Sequence, residues 1–482
     1  MQPIKDSEAL GGKKVLIAVA AVLVVGVVIS LFVLNGNDEK KLELVPKEKV
    51  VEENMAAETE VGTGWSAKES PADAVHEALG MALEGKMDKT PDFAIIFASS
   101  GSDLDAILAE AKETLGNGTK IYGGTSDSRA VMTDKGFVKA TEHGYEQSLM
   151  EGKRALAVMT VSSQEVTFGV GSADASAFSS AQEAAKAAVA DAIMSAGRPA
   201  GELPEVILLT PTYKIEEDVL EGVEQVVGKS TPIIGGSTGG PEFGVFGRDA
   251  AYKEGVSLAI IYTDLPVGWA FEGGFDVTDP HSGIVTKVDG QDLVEIDNRP
   301  ALDVYDEWLG GKIEELHRDI GKPDEIRDLL TLHPLYRKYT SAEGRTYFLF
   351  SHPWPKDDSL KNRSVSTSTR IKVGERVYLS HGTWETLLNR IGNLPRDAKV
   401  NADISVDARP ILSIGYICGG VMGTIPETER EKMPLLINYA DRNAPFIAPF
   451  TWGEQGQLPG VGNRHGNLLT PFIIIGPKEK AK

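Results

Sequence analysis

Residues 93–127 and 205–239 are two copies of one segment, related without a gap by a constant offset of 112, which places Gly123 and Gly124 on Gly235 and Gly236. Each copy reads as an apolar run of β-branched residues, a stretch with helical spacing, a second apolar run, and Gly-Gly followed by two small hydroxylated residues. That is a duplicated β-α-β unit. A chain built this way folds as α/β, with mixed or parallel sheets. Parallel sheets take ligands just beyond the carboxyl ends of their strands, where both Gly-Gly-hydroxyl loops belong.

The chain has 482 residues, which calls for two or three compact units, and 41% apolar with 25% charged residues describes a chain able to bury a core. Its net charge of -21 leaves no basic stripe for phosphates, so nucleic acid is excluded as a partner. The single cysteine, Cys418, rules out an internal disulfide framework and any multi-cysteine metal site. The eight histidines form no H-x-x-x-H pair. No metal and no cofactor is therefore expected.

Residues 15–34 carry no charge and only one polar residue, Ser30, over 20 positions, enough for a helix to cross a hydrocarbon core of roughly 30 Å. No small-x-small cleavage site follows, which favours a retained single-pass transmembrane helix over a cleaved signal peptide. The expected order is a short tail at 1–14, the transmembrane helix at 15–34, a charged stalk at 35–66, and folded domains at 67–282 and 283–477. A short cytoplasmic tail would put the large domain outside the cytoplasm. Within the second domain, residues 284–296 read as a hairpin turning at Asp289-Gly290. A helix follows, carrying Ala301, Val304, Tyr305, Trp308 and Leu309 on one face. Residues 409–475 read as a third, diverged β-α-β unit.

Four stretches resemble the FIST family, whose members are built from an N-terminal and a C-terminal FIST domain. They are Tyr122-Gly-Gly-Thr-Ser126 with Ile234-Gly-Gly-Ser-Thr238, residues 284–305, Leu332-His-Pro-Leu335, and Trp452-Gly-Glu454 with His465-Gly-Asn467. Two positions depart from the family pattern: Val421 stands where an arginine is usual, and Gly466 separates His465 from Asn467. The resemblance implies a sensory protein of signal transduction that binds an amino acid or similar metabolite. With no transmitter segment of its own, the chain would be non-catalytic and would pass its signal to a separate signalling protein. Some FIST proteins are held to bind haem through a histidine, which makes His465 and His333 the candidates for that alternative.

The candidate ligand site gathers Gly123, Gly124, Thr125, Ser126 and Arg129 from the first copy and Gly235, Gly236, Ser237 and Thr238 from the second. Glycine pairs let backbone N–H groups approach a ligand, and the hydroxyls can grip a carboxylate or amide. The same glycines equally suit tight turns at strand ends. Trp452 and Glu454 offer a stacking face and an anchor for an ammonium group, or else a packed ring and a surface acid. His465 and Asn467 join them through the resemblance, and Thr125, Ser126, Ser237 and Thr238 are expected to line one cleft with Trp452 and Glu454. A hydrolase is the third reading, with His143, His281 or His465 as base, although no nucleophile pairs with any of them in sequence. Cys418, in an apolar strand, reads as a small buried hydrophobe.

Overall fold

Each copy of the duplicated segment folds as the parallel β-α-β unit its pattern implies, and a third unit closes a cycle with them. The structure, a computed structural model, describes residues 59–477 other than 87–89, 128–129, 140–153, 200, 241, 319–322 and 355–358. The first unit contributes β1 (Thr59–Ser66), β2 (Phe93–Ser99) and β3 (Lys120–Ser126), followed by β4 (Ala130–Thr133), β5 (Gly136–Lys139) and β6 (Leu156–Ser163). β2 and β3 are parallel, and β6 lies antiparallel between β1 and β2. Helix Pro71–Ala82 starts at Ser70, whose side chain accepts from the Asp73 N–H, with Pro71 in its first turn.

The second unit repeats the plan with β7 (Val166–Asp174), β8 (Val206–Pro211), β9 (Ile233–Gly236), β10 (Val245–Phe246), β11 (Ala251–Tyr252) and β12 (Gly255–Thr263). β8 and β9 are parallel, and β12 sits antiparallel between β7 and β8. The third unit begins with β13 (Val267–Glu272) and resumes, after an inserted eight-stranded sheet running from β14 (Ser282–Asp289) to β21 (Arg376–Leu379), with β22 (Leu412–Gly415). β23 (Ile417–Cys418), β24 (Phe446–Thr451), β25 (Glu454–Leu458), β26 (Gly462–Gly466) and β27 (Thr470–Ile475) complete it. β22 and β24 are parallel, with β27 antiparallel between β13 and β22.

The units exchange strands in a ring. After its Gly-Gly-Thr-Ser loop the first unit sends β4 to pair with β24 of the third, the second sends β10 to β3 of the first, and the third sends β25 to β9 of the second. A shared apolar core draws Ile95 and Tyr122, Leu208 and Ile234, and Ile414 and Ile473 from the three sheets. On the core side, the Tyr122 hydroxyl meets Thr210 Oγ1 at 2.6 Å and the Tyr416 hydroxyl at 2.7 Å, linking the three sheets through one polar contact.

Outer helices press against glycine-bearing strands in every unit. A Cβ on Gly62 or Gly64 would overlap the Ala82 or Ala78 carbonyl oxygen, one on Gly169 or Gly171 that of Ala192 or Ala188, and one on Gly268 that of Ala398. This close approach explains why Thr59–Ser66, inside the segment expected to be a stalk, is a strand. Its glycines serve helix packing and interrupt the apolar alternation that marks a strand in sequence. The hairpin expected at 284–296 forms, with Asp289 opposite Asp292 and Gly290 at a φ of 60°.

The α/β architecture with parallel pairs inside mixed sheets matches expectation, but its membrane component does not. The expected transmembrane helix, residues 15–34, lies outside the described residues. Among the described residues no helix is long and apolar enough to cross a membrane. The membrane-anchored form, the single-pass localisation with its domain outside the cytoplasm, and the membrane as a partner are accordingly withdrawn.

Steric fit at the inner strands sets one prediction. Gly235→Ala drives a methyl into the Leu209 backbone and should cost about 3 kcal/mol or more. Gly80→Ala, exposed inside helix Pro71–Ala82 with open space around it, should instead add about 0.5–1 kcal/mol. Urea denaturation of both variants checks the contrast, and similar small effects at the two positions would contradict the packing described.

Candidate functional site

The strand exchange brings the predicted loops together and also consumes most of their polar groups. Gly235 and Gly236 pair with Gln455 and Glu454, the Ser237 N–H donates to the Gly453 carbonyl at 2.7 Å, and the Trp452 N–H donates to the Ser237 carbonyl at 3.1 Å. Gly124 faces Val245 of β10, and a Cβ there would touch the Thr238 methyl, so the two Gly-Gly loops are neighbours. Gly123 takes a φ of 138° and abuts the Ile96 carbonyl, as Gly235 abuts that of Leu209. Both are therefore needed by the fold.

The hydroxyls are buried and mostly committed to backbone. Ser126 Oγ donates to the Ala130 carbonyl at 2.6 Å and accepts from the Phe450 N–H at 2.8 Å, Thr125 Oγ1 accepts from the Gly244 N–H at 3.2 Å, and Ser237 Oγ donates to the Gly453 carbonyl at 3.3 Å. Thr238 Oγ1 has no partner. Asn467 donates to the Trp452 carbonyl at 3.3 Å and accepts from the His352 N–H, which fixes the loop that carries Trp452. Arg129 and His143 lie outside the described residues.

Glu454, expected as an exposed anchor, is fully buried. Its carboxyl accepts from the Thr451 hydroxyl at 2.8 Å and the Leu469 N–H at 3.3 Å, and burial raises its pKa. The neighbouring Cys418 thiol is pushed up as well, by burial and then by Glu454. Cys418 thus stays protonated and is no nucleophile. His333 Nδ1 lies 2.7 Å from the Leu329 carbonyl, and His465 has Gln455 Nε2 at 3.1 Å from Nδ1 and the Ser368 carbonyl at 3.3 Å from Nε2. Both nitrogens of His465, and Nδ1 of His333, are therefore engaged with protein groups in this structure.

The duplication itself exposes what the motif reading missed. At the constant offset of 112, Asp103 and Leu104 of the first copy correspond to Ile215 and Glu216 of the second. In the first copy Asp103 caps helix Leu104–Leu115 by accepting from the Ala106 N–H at 3.0 Å, and Leu104 packs into an apolar cluster at 7% exposure. In the second copy helix Glu216–Val227 has no side-chain cap, and Glu216 occupies the buried leucine position at 1% exposure. Neither of its carboxylate oxygens has a hydrogen-bond partner. Burial raises the Glu216 pKa, the nearby His465 draws it partly back, Glu217 pushes it further up, and its own backbone N–H and the Ser237 hydroxyl, too poorly aligned to count as bonded partners, lower it slightly.

Around Glu216 the acceptors outnumber the donors. Glu217 Oε1 accepts from the Arg370 N–H at 2.8 Å, but its Oε2 is unpartnered, as is Gln455 Oε1. Ligand atoms of Glu216, Glu217 and His465 all lie within 4.8 Å of one another. Beside them the half-buried Tyr213 and Trp452 rings meet edge to face at 5.1 Å between centroids. Lys214, in the same loop, holds a φ of 81°, a left-handed conformation costing a non-glycine residue roughly 1–2 kcal/mol. An unpartnered buried acid next to a strained loop, at the carboxyl end of β8, marks this place as the candidate site.

A family model, the FIST N domain, matches residues 92–299, so a FIST N domain is present in part, and the membrane-anchored form is not retained. No curated protein matches the chain. Among solved structures, a cyanuric acid hydrolase is similar at a TM-score of 0.30 and 10% identity, covering 87% of this chain and 100% of that one. Cyanuric acid hydrolase from A. caulinodans is similar at 0.26 and 12%, covering 46% and 74%. T. maritima PurL complexed with ATP is similar at 0.22 and 11%, covering 87% and 71%. Likenesses this weak assign no activity. The buried acid cluster is what removes the expectation of a non-catalytic protein. The reading as a membrane-anchored sensory protein goes with it.

The buried acid has a consequence for stability. A carboxyl raised in the folded state stabilises the fold fully below its ordinary pKa of 4.5, and that contribution is lost as pH rises through the folded value. Asp441, pushed up to about 6, and Glu454 act in the same direction, whereas buried His352, held down to about 4, adds stability as pH rises from about 4 to 6.5, so the protein should lose stability mainly as pH increases above about 6.5. Glu216→Leu, which restores the first copy's residue, should flatten part of that slope and add about 1–3 kcal/mol at pH 8. Denaturation curves across pH measure both effects; an unchanged slope would mean that Glu216 is compensated in the fold.

Proposed function

We propose that the chain is a hydrolytic enzyme whose reaction centre is the Glu216, Glu217 and His465 cluster. The observation that carries this reading is Glu216, a buried carboxylate with both oxygens unpartnered where the duplicate copy places a leucine. Burying such a group without a partner costs several kcal/mol in a real protein. A fold that evidently tolerates leucine at this point gains nothing structural from the acid, so its use is chemical. The surplus acceptors of Glu216, Glu217 and Gln455 suit a water molecule whose O–H groups they would hold, with Glu216 taking one proton as the water attacks. The oxygen of that water adds to a substrate carbonyl carbon, the bond to the leaving group breaks, and the water's proton ends on the leaving group. Tyr213 and Trp452 supply a flat apolar wall for a planar amide or ester.

A hydrolysis panel of small aromatic esters and amides, run with the full-length chain, tests the reading. Glu216→Gln, close in shape but unable to take a proton, should lower turnover at least about 100-fold with an unchanged circular dichroism spectrum. Trp452→Ala should act mainly on KM. Undiminished turnover in Glu216→Gln, or no hydrolysis of any member of the panel, would overturn the proposal.

A further inference from the structure

We infer that Glu216, Glu217 and His465 form a binding site for one divalent transition-metal ion, zinc being the probe that fits the donor set. The inference rests on reading this cluster as the reaction centre and says what its acceptors hold. Two carboxylates and an imidazole are a donor set that zinc accepts, and three protein ligands leave a position for water. Their ligand atoms lie within 4.8 Å of one another. Donors on one tetrahedral zinc stand about 3.3–3.5 Å apart at bond lengths of roughly 2.0–2.2 Å. Binding would have to draw the donors closer together than they stand here.

A proton alone does not account for the arrangement. A neutral Glu216 would carry an O–H with no well-formed acceptor, since neither oxygen makes a hydrogen bond of good geometry and the Ser237 hydroxyl, the polar side chain nearest to pairing with it, already donates to the Gly453 carbonyl. Three further features point to a cation. Glu217 Oε2 and Gln455 Oε1 are also acceptors without donors, so the unmet demand around Glu216 is for positive charge. Asp218 completes a run of three acids in the first turn of helix Glu216–Val227, but it is drawn away by the Arg370 guanidinium at 2.7 Å, leaving Glu216 and Glu217 to face His465. The Ser368 carbonyl, 3.3 Å from His465 Nε2, is placed to accept that N–H and so turn Nδ1 toward a metal, the second contact that metal-bound histidines ordinarily make. Gln455 would have to release Nδ1 for this to happen, and its own unpartnered oxygen would then be free to turn. A bound cation lowers the pKa of its water to about 7 and supplies the hydroxide at neutral pH.

Calorimetric titration of zinc chloride into full-length protein stripped with a chelator tests the inference. One zinc per chain is expected, with affinity reduced at least 100-fold in both Glu216→Leu and His465→Ala. Cys418→Ser and Glu307→Gln, the latter an exposed acid paired with Arg299, should leave it unchanged. The leucine already present at the duplicate position gives Glu216→Leu good prospects of folding, and circular dichroism verifies it. Absence of zinc binding, or binding indifferent to both substitutions, would overturn the inference. Stripped protein that still hydrolyses esters or amides would sink the metal site and leave the hydrolytic reading standing. Zinc held by this trio with no hydrolysis of the panel would do the reverse.

Discussion

The exchange of β4, β10 and β25 around a ring of three units is the constraint on which the rest of the structure depends. Each exchanged strand leaves its own unit just after a parallel strand ends and completes a neighbouring sheet. No unit can therefore satisfy its edge hydrogen bonds alone. The crossing points need chains to pass within backbone contact, which is why Gly123 and Gly235 stand where a methyl would strike the carbonyls of Ile96 and Leu209. Ser126 spans one crossing, bonded to the backbone of its own strand's continuation and to Phe450 of the third unit.

The same constraint makes room for an active centre. Three strand ends converge, and what lies over them depends on the residue at the start of each following helix. In the first unit the answer is a capping aspartate and a buried leucine. In the second it is an uncapped helix end with Glu216 turned inward, facing β25 and β26 contributed by the third unit. The local fields agree with that placement, because an uncapped helix N-terminus favours negative charge. They do not remove the desolvation cost, which is what raises the Glu216 pKa. His465 reaches the cluster only because β25 has been handed across to β9.

Much of the fold was legible in the chain. The constant offset, the apolar runs and the Gly-Gly pairs set out two parallel units and pointed to a third, and Ser70 before Pro71 marked a helix start. The order of strands in the sheets was not legible, because apolar alternation says which face is buried and not which neighbour completes the edge. The β1 strand was hidden by its own glycines, which answer to the helix above them. Within the site, the motif residues were brought together as their topology required, yet Thr125, Ser126 and Ser237 spend their hydroxyls on the crossings. Glu216 belongs to no motif. Its signal was a difference inside the repeat, Leu104 against Glu216 and Asp103 against Ile215, visible only when the copies are compared position by position.

The central claim is that the second unit carries, where the first carries a core leucine, an acid that holds positive charge at a hydrolytic centre. Anomalous diffraction at the zinc edge, from crystals of the full-length protein grown with zinc, tests it most directly. The account predicts one strong peak about 2 Å from carboxylate oxygens of Glu216 and Glu217 and a ring nitrogen of His465, absent from crystals of Glu216→Leu. A well-ordered cluster with no peak, or with the Glu216 carboxyl bonded to protein groups alone, would contradict it.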